Sequence, residues 1–247
     1  MNNTHSIAND PFVHLPHLRG RFISPSESKA RVTPKVLEKW DQSALERGSD
    51  ITWRLPDDVR EASRRHFMSQ IEHAGDIWVF AYGSLMWDPA VYFEEVRAAA
   101  LVGYQRRFNY KVIGGRGTPE QPGLVLSLMP EPDALCHGLA FRIAMPQVDE
   151  ETAILWRREM LRGGYEPAFL PMETPQGSVH AIVFVAHASN PSYANDLTQE
   201  QTAHIVANAA GHLGTNGDYL FQLARQLRAL DITDAYIEDL YQRVTQL

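Results

Sequence analysis

Two short segments hold residue types whose spacing could do chemistry. The first is Ala81-Tyr82-Gly83-Ser84-Leu85-Met86-Trp87, which follows an apolar run and has the make-up of a tight turn. A glycine followed by a small hydroxyl residue leaves successive backbone N–H groups unpaired, and such a nest suits a carboxylate or another anion. The same residues would equally serve as an ordinary turn carrying a core Tyr and Trp. The second segment is Leu155-Trp156-Arg157-Arg158-Glu159-Met160-Leu161-Arg162-Gly163-Gly164-Tyr165, a helical pattern closed by paired glycines as a C-cap. Glu159 falls one turn before that C-terminus, where the helix dipole is negative and disfavours a carboxylate. With partial burial, this placing raises its pKa towards the range of a proton shuttle. The competing reading makes Glu159 a solvated helix residue paired with Arg162 at i,i+3.

Other chemistries lack their residues. Gly115-Arg116-Gly117 opens a dinucleotide fingerprint, but Glu120 stands where the fingerprint needs glycine. There is no Walker A sequence, and no HExxH among the 10 histidines. Ser84 is not a nucleophile elbow, because Tyr82 and Met86 occupy the flanking glycine positions of GxSxG. The 1 cysteine, Cys136, excludes a disulfide framework or a cysteine-based zinc or iron–sulfur site within one chain. It stands in an apolar strand pattern and reads as a small buried hydrophobe.

These segments need elements to position them, and 247 residues, 44% hydrophobic, suffice for a full core. Residues 1–32 show no sustained period and read as a loop or tail. Thr33-Pro34 then offers an N-cap and a first-turn proline for a helix closing at Gly48. A second helical pattern runs from about Pro56 to His73. From Asp76 the chain turns strand-rich. Ile77–Ala81, Val96–Val102, Gln105–Val112, Leu124–Met129, Gly138–Ile143, Ala168–Met172 and Val179–His187 are expected strands. One helix, about Gln147 to Leu161, is embedded among them. The Gly/Pro-rich stretch 114–123 must be a loop, and helices are expected at 198–209, 217–230 and 233–246. This order points to an α+β fold rather than alternating βαβ. We divide the chain into an N-terminal extension, 1–75, and a catalytic domain, 76–247.

The formal charge is −7, and it is uneven: residues 1–75 hold 11 basic and 10 acidic side chains, the rest 12 and 20. That balance, without an aromatic–basic stripe, argues against nucleic acid as a partner. Met1-Asn2-Asn3-Thr4-His5 has no basic n-region, and no apolar run reaches the roughly 18 residues of a membrane span. With the lone cysteine, these features lead us to expect a cytoplasmic protein without a membrane partner.

Taken together, the motifs resemble the ChaC family of γ-glutamylcyclotransferases. The matching residues are Val79–Pro89, Gly115-Arg116-Gly117-Thr118 with Gln121-Pro122-Gly123, Leu155–Met160 with Gly164-Tyr165, Asn190-Pro191-Ser192-Tyr193, and Gly214-Thr215-Asn216 with Tyr219-Leu220. The resemblance covers roughly residues 35–240. It implies a compact, mixed β-barrel-like fold with flanking helices, and cleavage of the small-molecule substrate glutathione to 5-oxoproline and cysteinylglycine. No metal and no organic cofactor are implied. Carried onto this chain, Tyr82, Gly83, Ser84 and Leu85 would hold the γ-glutamyl group and Glu159 would be the catalytic carboxylate. Tyr165 and Tyr193 fall at positions for substrate contact. Glutathione is an anion, and Arg106, Arg107, Arg116 and Arg157 are available cations, of which Arg116 in its glycine-rich loop is the substrate-binding candidate.

Overall fold

The computed structural model describes residues 10–71 and 75–247. The expected end of the second helix at His73, and the Met1–His5 segment, lie outside the described residues.

At the centre lies β1 (Ile77–Ala81), whose residues are nearly all buried because it is covered on both faces and both edges. It runs antiparallel to β3 (Gly123–Ile143) and parallel to β5 (Val179–Ala186). β2 (Glu95–Val112) flanks β3, and β4 (Tyr165–Met172) flanks β5, so the sheet order is β2-β3-β1-β5-β4. The expected barrel is not formed. The sheet is mixed and open, with β2 and β4 as its edges. They meet where Ala100 and Glu173 exchange backbone hydrogen bonds of 2.9 and 3.0 Å, and no ladder continues from that bridge. β4 also carries Pro167 and Pro171, which a sheet tolerates at an edge because they have no N–H to offer a further neighbour.

Two pairs of expected strands are single long ones. Gly103 (φ +81°) does not end β2 but marks a register shift between Val102 and Tyr104, and residues 130–137 continue β3 despite two prolines. Both strands run on through such irregularities rather than stopping.

The embedded helix is α3, residues Val148–Glu159, so Glu159 is its last helical residue. Asp149, Glu150 and Glu151 occupy its first turn and Arg157 and Arg158 its last, each favourable to the helix dipole. The C-terminal helices are α4 (Gln199–Asn208), α5 (Asn216–Ala229) and α6 (Ala235–Thr245). Thr198 with Gln201 and Thr215 with Asp218 form capping boxes that start α4 and α5. A two-residue antiparallel pair, β6 (Ala210–Gly211) and β7 (Gly214–Thr215), turns the chain between them. Asn216 fixes α5 to β3: its buried amide accepts from Leu124 N–H (2.6 Å) and donates to Leu124 C=O (2.7 Å).

The extension packs against this body. α1 (Pro34–Glu46) is capped by Thr33, which accepts from Val36 N–H, and α2 is Asp57–Gln70. Phe67 of α2 meets Trp156 of α3 at 5.4 Å between ring centroids, and Trp156 meets Phe184 of β5 at 5.3 Å. Residues 10–33 hold one 3-10 turn, Pro16–Leu18, and no longer element, yet Leu18 and Val32 are completely buried. Such residues contribute about 1.5–3 kcal/mol each, which is why an unpatterned segment stays in place.

Candidate active site

The turn after β1 and the end of α3 come together. Tyr82 leaves β1 with its hydroxyl donating to Phe184 C=O (2.7 Å), and its own carbonyl accepts from Arg106 Nη1 (2.7 Å). Ser84–Met86 then form one 3-10 turn, closed by Met86 N–H to Gly83 C=O (2.8 Å) and Asp88 N–H to Ser84 C=O (3.0 Å). Gln226 of α5 donates to Met86 C=O (2.8 Å), tying the turn to the C-terminal helices. The N–H of Ser84 faces the Tyr219 hydroxyl, whereas the described residues offer the Gly83 and Leu85 N–H groups no acceptor. Leu85 is itself buried in the core. Gly83 is needed for close approach: a Cβ there would stand 3.0 Å from Tyr219 Oη.

Glu159 is linked to this turn through Arg158, which is its partner in place of Arg162. Arg158 Nε pairs with Glu159 Oε1 at 3.0 Å, Nη2 donates to Ser84 Oγ (2.8 Å), and Nη1 donates to Asp88 C=O (2.6 Å). One guanidinium therefore joins the carboxylate to the turn. The Glu159 side chain keeps 17% exposure, enough for access, while the groups packed around it remove most of its hydration. That burial raises its pKa, and Arg158 pulls it partly back.

Three phenols surround the carboxylate. Tyr82 and Tyr165 are held well above the ordinary phenol range by burial, and the Glu159 charge adds to the effect on both. Tyr219 is pushed up to about 12, again by burial first and Glu159 second. All three are neutral hydrogen-bond donors at physiological pH. Tyr165 is anchored by its hydroxyl to Leu126 C=O (2.8 Å) and stacks on Tyr110 at 5.3 Å. Gly164 makes that stack possible, since a Cβ there would overlap the Tyr110 hydroxyl.

The remaining sequence candidates are dispersed. Tyr193 bridges to Tyr110 through the backbone and faces Asn109 with its hydroxyl, next to the stack rather than at Glu159. Arg116 donates to Thr215 C=O (3.0 Å) and lies 3.9 Å from Asp218, so it holds the start of α5. Arg106 is buried, spans Tyr82 and His137 carbonyls, and pairs with Asp234 at 2.9 Å. Arg107 stacks on Tyr236, 4.1 Å from its ring centre. Arg157 lines a cleft of about 300 Å³ between α3 and the extension; a second cleft, of about 360 Å³, lies between Lys111 and His204, and Glu159 lines neither. Cys136 is buried, which raises its thiol pKa. Arg158 and Tyr219 are the site residues that sequence reasoning missed. Arg158 could have been suspected as a first neighbour of Glu159, and Tyr219 from its place in the GTN…YL motif. Among the described residues, no group of three His, Cys, Asp or Glu side chains is placed to hold a metal, and no helix is long and apolar enough to cross a membrane.

One arginine thus ties a partly buried carboxylate to a YGSL turn. The description "ChaC-like protein" fits residues 77–247. The chain belongs to the ChaC-like family. Among ChaC-like relatives, the glutathione-specific γ-glutamylcyclotransferase of Escherichia coli K12 is 38% identical over 174 residues, covering 70% of this chain and 74% of that protein. Glutathione-specific γ-glutamylcyclotransferase 1 of Danio rerio is 35% identical over 166 residues, covering 65% and 85%. A crystal structure of a yeast γ-glutamyl cyclotransferase specific to glutathione shares the fold, with a TM-score of 0.65 at 23% identity over 70% of this chain and 96% of that one.

Proposed function

We propose that this ChaC-like protein cleaves glutathione to 5-oxoproline and cysteinylglycine in the cytoplasm, with residues 76–247 as the catalytic domain and 1–75 as its extension. The reaction needs no protein nucleophile. The α-amine of the γ-glutamyl group attacks its own γ-carbonyl, forming the ring C–N bond, and the amide C–N bond to cysteine then breaks. Tethering the nucleophile removes several kcal/mol of the barrier, provided the glutamyl chain is held folded. Tyr82, Gly83, Ser84 and Leu85 supply that hold, with the free N–H groups of Gly83 and Leu85 facing the carbonyl oxygen as it gains charge. Glu159 takes a proton from the substrate ammonium and returns it to the departing cysteinyl nitrogen. It then takes the second proton that the ring nitrogen loses as the lactam forms and passes it to the product amine, so one carboxylate serves both transfers. Arg158 keeps that carboxylate ionised at the start and aimed at the turn. Tyr165 is one wall of the pocket, Tyr193 lies further out, and Arg116 acts through the start of α5.

The observation that carries this reading is the Arg158 guanidinium, bonded at once to Glu159 and to Ser84. Incubation with glutathione, γ-Glu-Ala and γ-glutamyl-lysine tests it, with 5-oxoproline measured in each. Release from glutathione far above the other two is the expected result. Equal release from all three overturns the glutathione specificity, and none from any overturns the activity.

A further inference from the structure

The family match begins at Ile77, yet the extension reaches the catalytic constellation. Ser28 Oγ donates to Asp88 Oδ1 at 2.6 Å. Asp88 is nearly buried, and its carbonyl takes the 2.6 Å bond from Arg158 Nη1. Arg158 in turn holds Glu159 and Ser84. A chain of hydrogen bonds thus runs from a residue outside the family region to the carboxylate.

The rest of the extension grips the same two pieces of structure. On the turn side, Ile23 N–H donates to Trp87 C=O (3.0 Å), and Arg31 Nη1 donates to Ala90 C=O (2.8 Å). Ala90 has φ +60°, the left-handed region that disfavours a residue with a Cβ, and the Arg31 bond helps to hold it there. On the helix side, the same Arg31 makes a two-point pair with buried Glu151 at 2.6 and 2.9 Å. Arg64 bonds Thr152 Oγ1 (2.9 Å) and Asp149 (2.8 Å), also on α3. At the far end Leu55 N–H donates to Leu161 C=O (2.9 Å), two residues beyond Glu159. Arg31 therefore ties the turn to α3, and Ser28 sets the residue between them.

We propose that the extension is a working part of the active site, with Ser28 the positioning residue through which it orients Asp88, Arg158 and so Glu159. The proposal rests on the reading of Glu159 given above. The Asp88 carboxylate lies 4.0 Å from Arg158 Nη1, so losing the Ser28 bond lets that charge shift against the guanidinium that holds Glu159, and small displacements of a catalytic group are costly.

The test uses the full chain with Ser28→Ala, Ser28→Thr and, as a control on the exposed neighbour, Ser26→Ala. With glutathione as substrate, Ser28→Ala is expected to lower kcat about tenfold with little change in KM. Ser28→Thr keeps the hydroxyl and restores most of the rate, Ser26→Ala leaves it unchanged, and all three melt near the wild type. A kcat in Ser28→Ala within twofold of wild type overturns the proposal, as does an equal loss in Ser28→Thr and Ser28→Ala. A second readout needs no turnover: titration of the 13C-labelled Glu159 carboxyl, which Arg158, Tyr82, Tyr165 and Tyr219 face. Its midpoint is expected to rise in Ser28→Ala, and an unmoved midpoint counts against the relay. If the wild type releases no 5-oxoproline while this midpoint moves, the assigned reaction fails and the relay stands.

Discussion

Consecutive residues of α3, Arg157 and Arg158, meet two different electrostatic worlds. Arg157 borders the cleft against the extension, where Arg54 pairs with Asp41 and Asp57, Arg60 with Asp57, and Arg64 with Glu61 and Asp149. That face shares its charges: Asp57 pairs with both Arg54 and Arg60, Glu61 with both Arg64 and Arg65, and Arg64 with both Glu61 and Asp149. Arg158 borders the turn, where it alone pairs with Glu159 while three neutral phenols crowd the carboxylate. The first arrangement builds a surface and settles its charges. The second leaves a carboxylate dehydrated and dependent on one cation, which makes it responsive to protons. Burial alone does not distinguish the faces, since Arg60 and Arg64 are more buried than Arg158 and Glu159. The ratio of partners to charges does.

Four substitutions break or sharpen this contrast. Glu159→Gln removes the proposed proton carrier while keeping its shape, and kcat for 5-oxoproline release should fall about 10³-fold, within the range for a general base. Glutathione binding, measured by calorimetry, should be retained. Arg158→Met takes from Glu159 the one cation paired with it among the described residues, so kcat should drop about 100-fold. The acid limb of the pH–kcat profile should move upward, because the opposing pull on the raised pKa is gone. Tyr219→Phe deletes the hydroxyl facing Ser84, and a loss of about tenfold in kcat is expected from steady-state kinetics. On the settled face, Glu61→Gln should leave kcat within about twofold. The Glu61 carboxyl lies near 2 in the fold against an ordinary 4.5, held down by Arg64. Its stabilisation is therefore present above the ordinary value and is lost as pH falls towards about 2. Denaturant unfolding should show the variant weaker by about 1 kcal/mol at neutral pH, after allowance for solvent screening, with the gap closing under acid.

Much of the site was legible because its parts are local. The Tyr82–Leu85 turn, Glu159 at a glycine-capped helix end and Gly164-Tyr165 are short strings whose spacing carries their meaning. What joins them is not local. Ser84 meets Arg158 across 74 positions, and Asp88 meets Ser28 across 60, so no period or motif announces either contact. Arg162 looked like the natural partner of Glu159 at i,i+3, but the helix ends at Glu159 and Arg162 lies beyond it, over the Trp53 ring. The expected division of β2 and of β3 into two strands each has a related cause. Gly103 and the prolines between 130 and 137 look like breaks, and a register shift absorbs them only because each long strand has the other to pair with. Whether edges close is decided by that pairing, which alternation along one strand does not record.

The central claim is that Glu159, raised by burial and steadied by Arg158, carries the proton. The pH dependence of kcat for glutathione cleavage, in the wild type and in Glu159→Gln, tests it most directly. The expected wild-type profile has one acid limb centred above the ordinary glutamate value, and the residual rate of the variant has no such limb. The same limb persisting in Glu159→Gln, or a wild-type limb at or below the ordinary value, would contradict it.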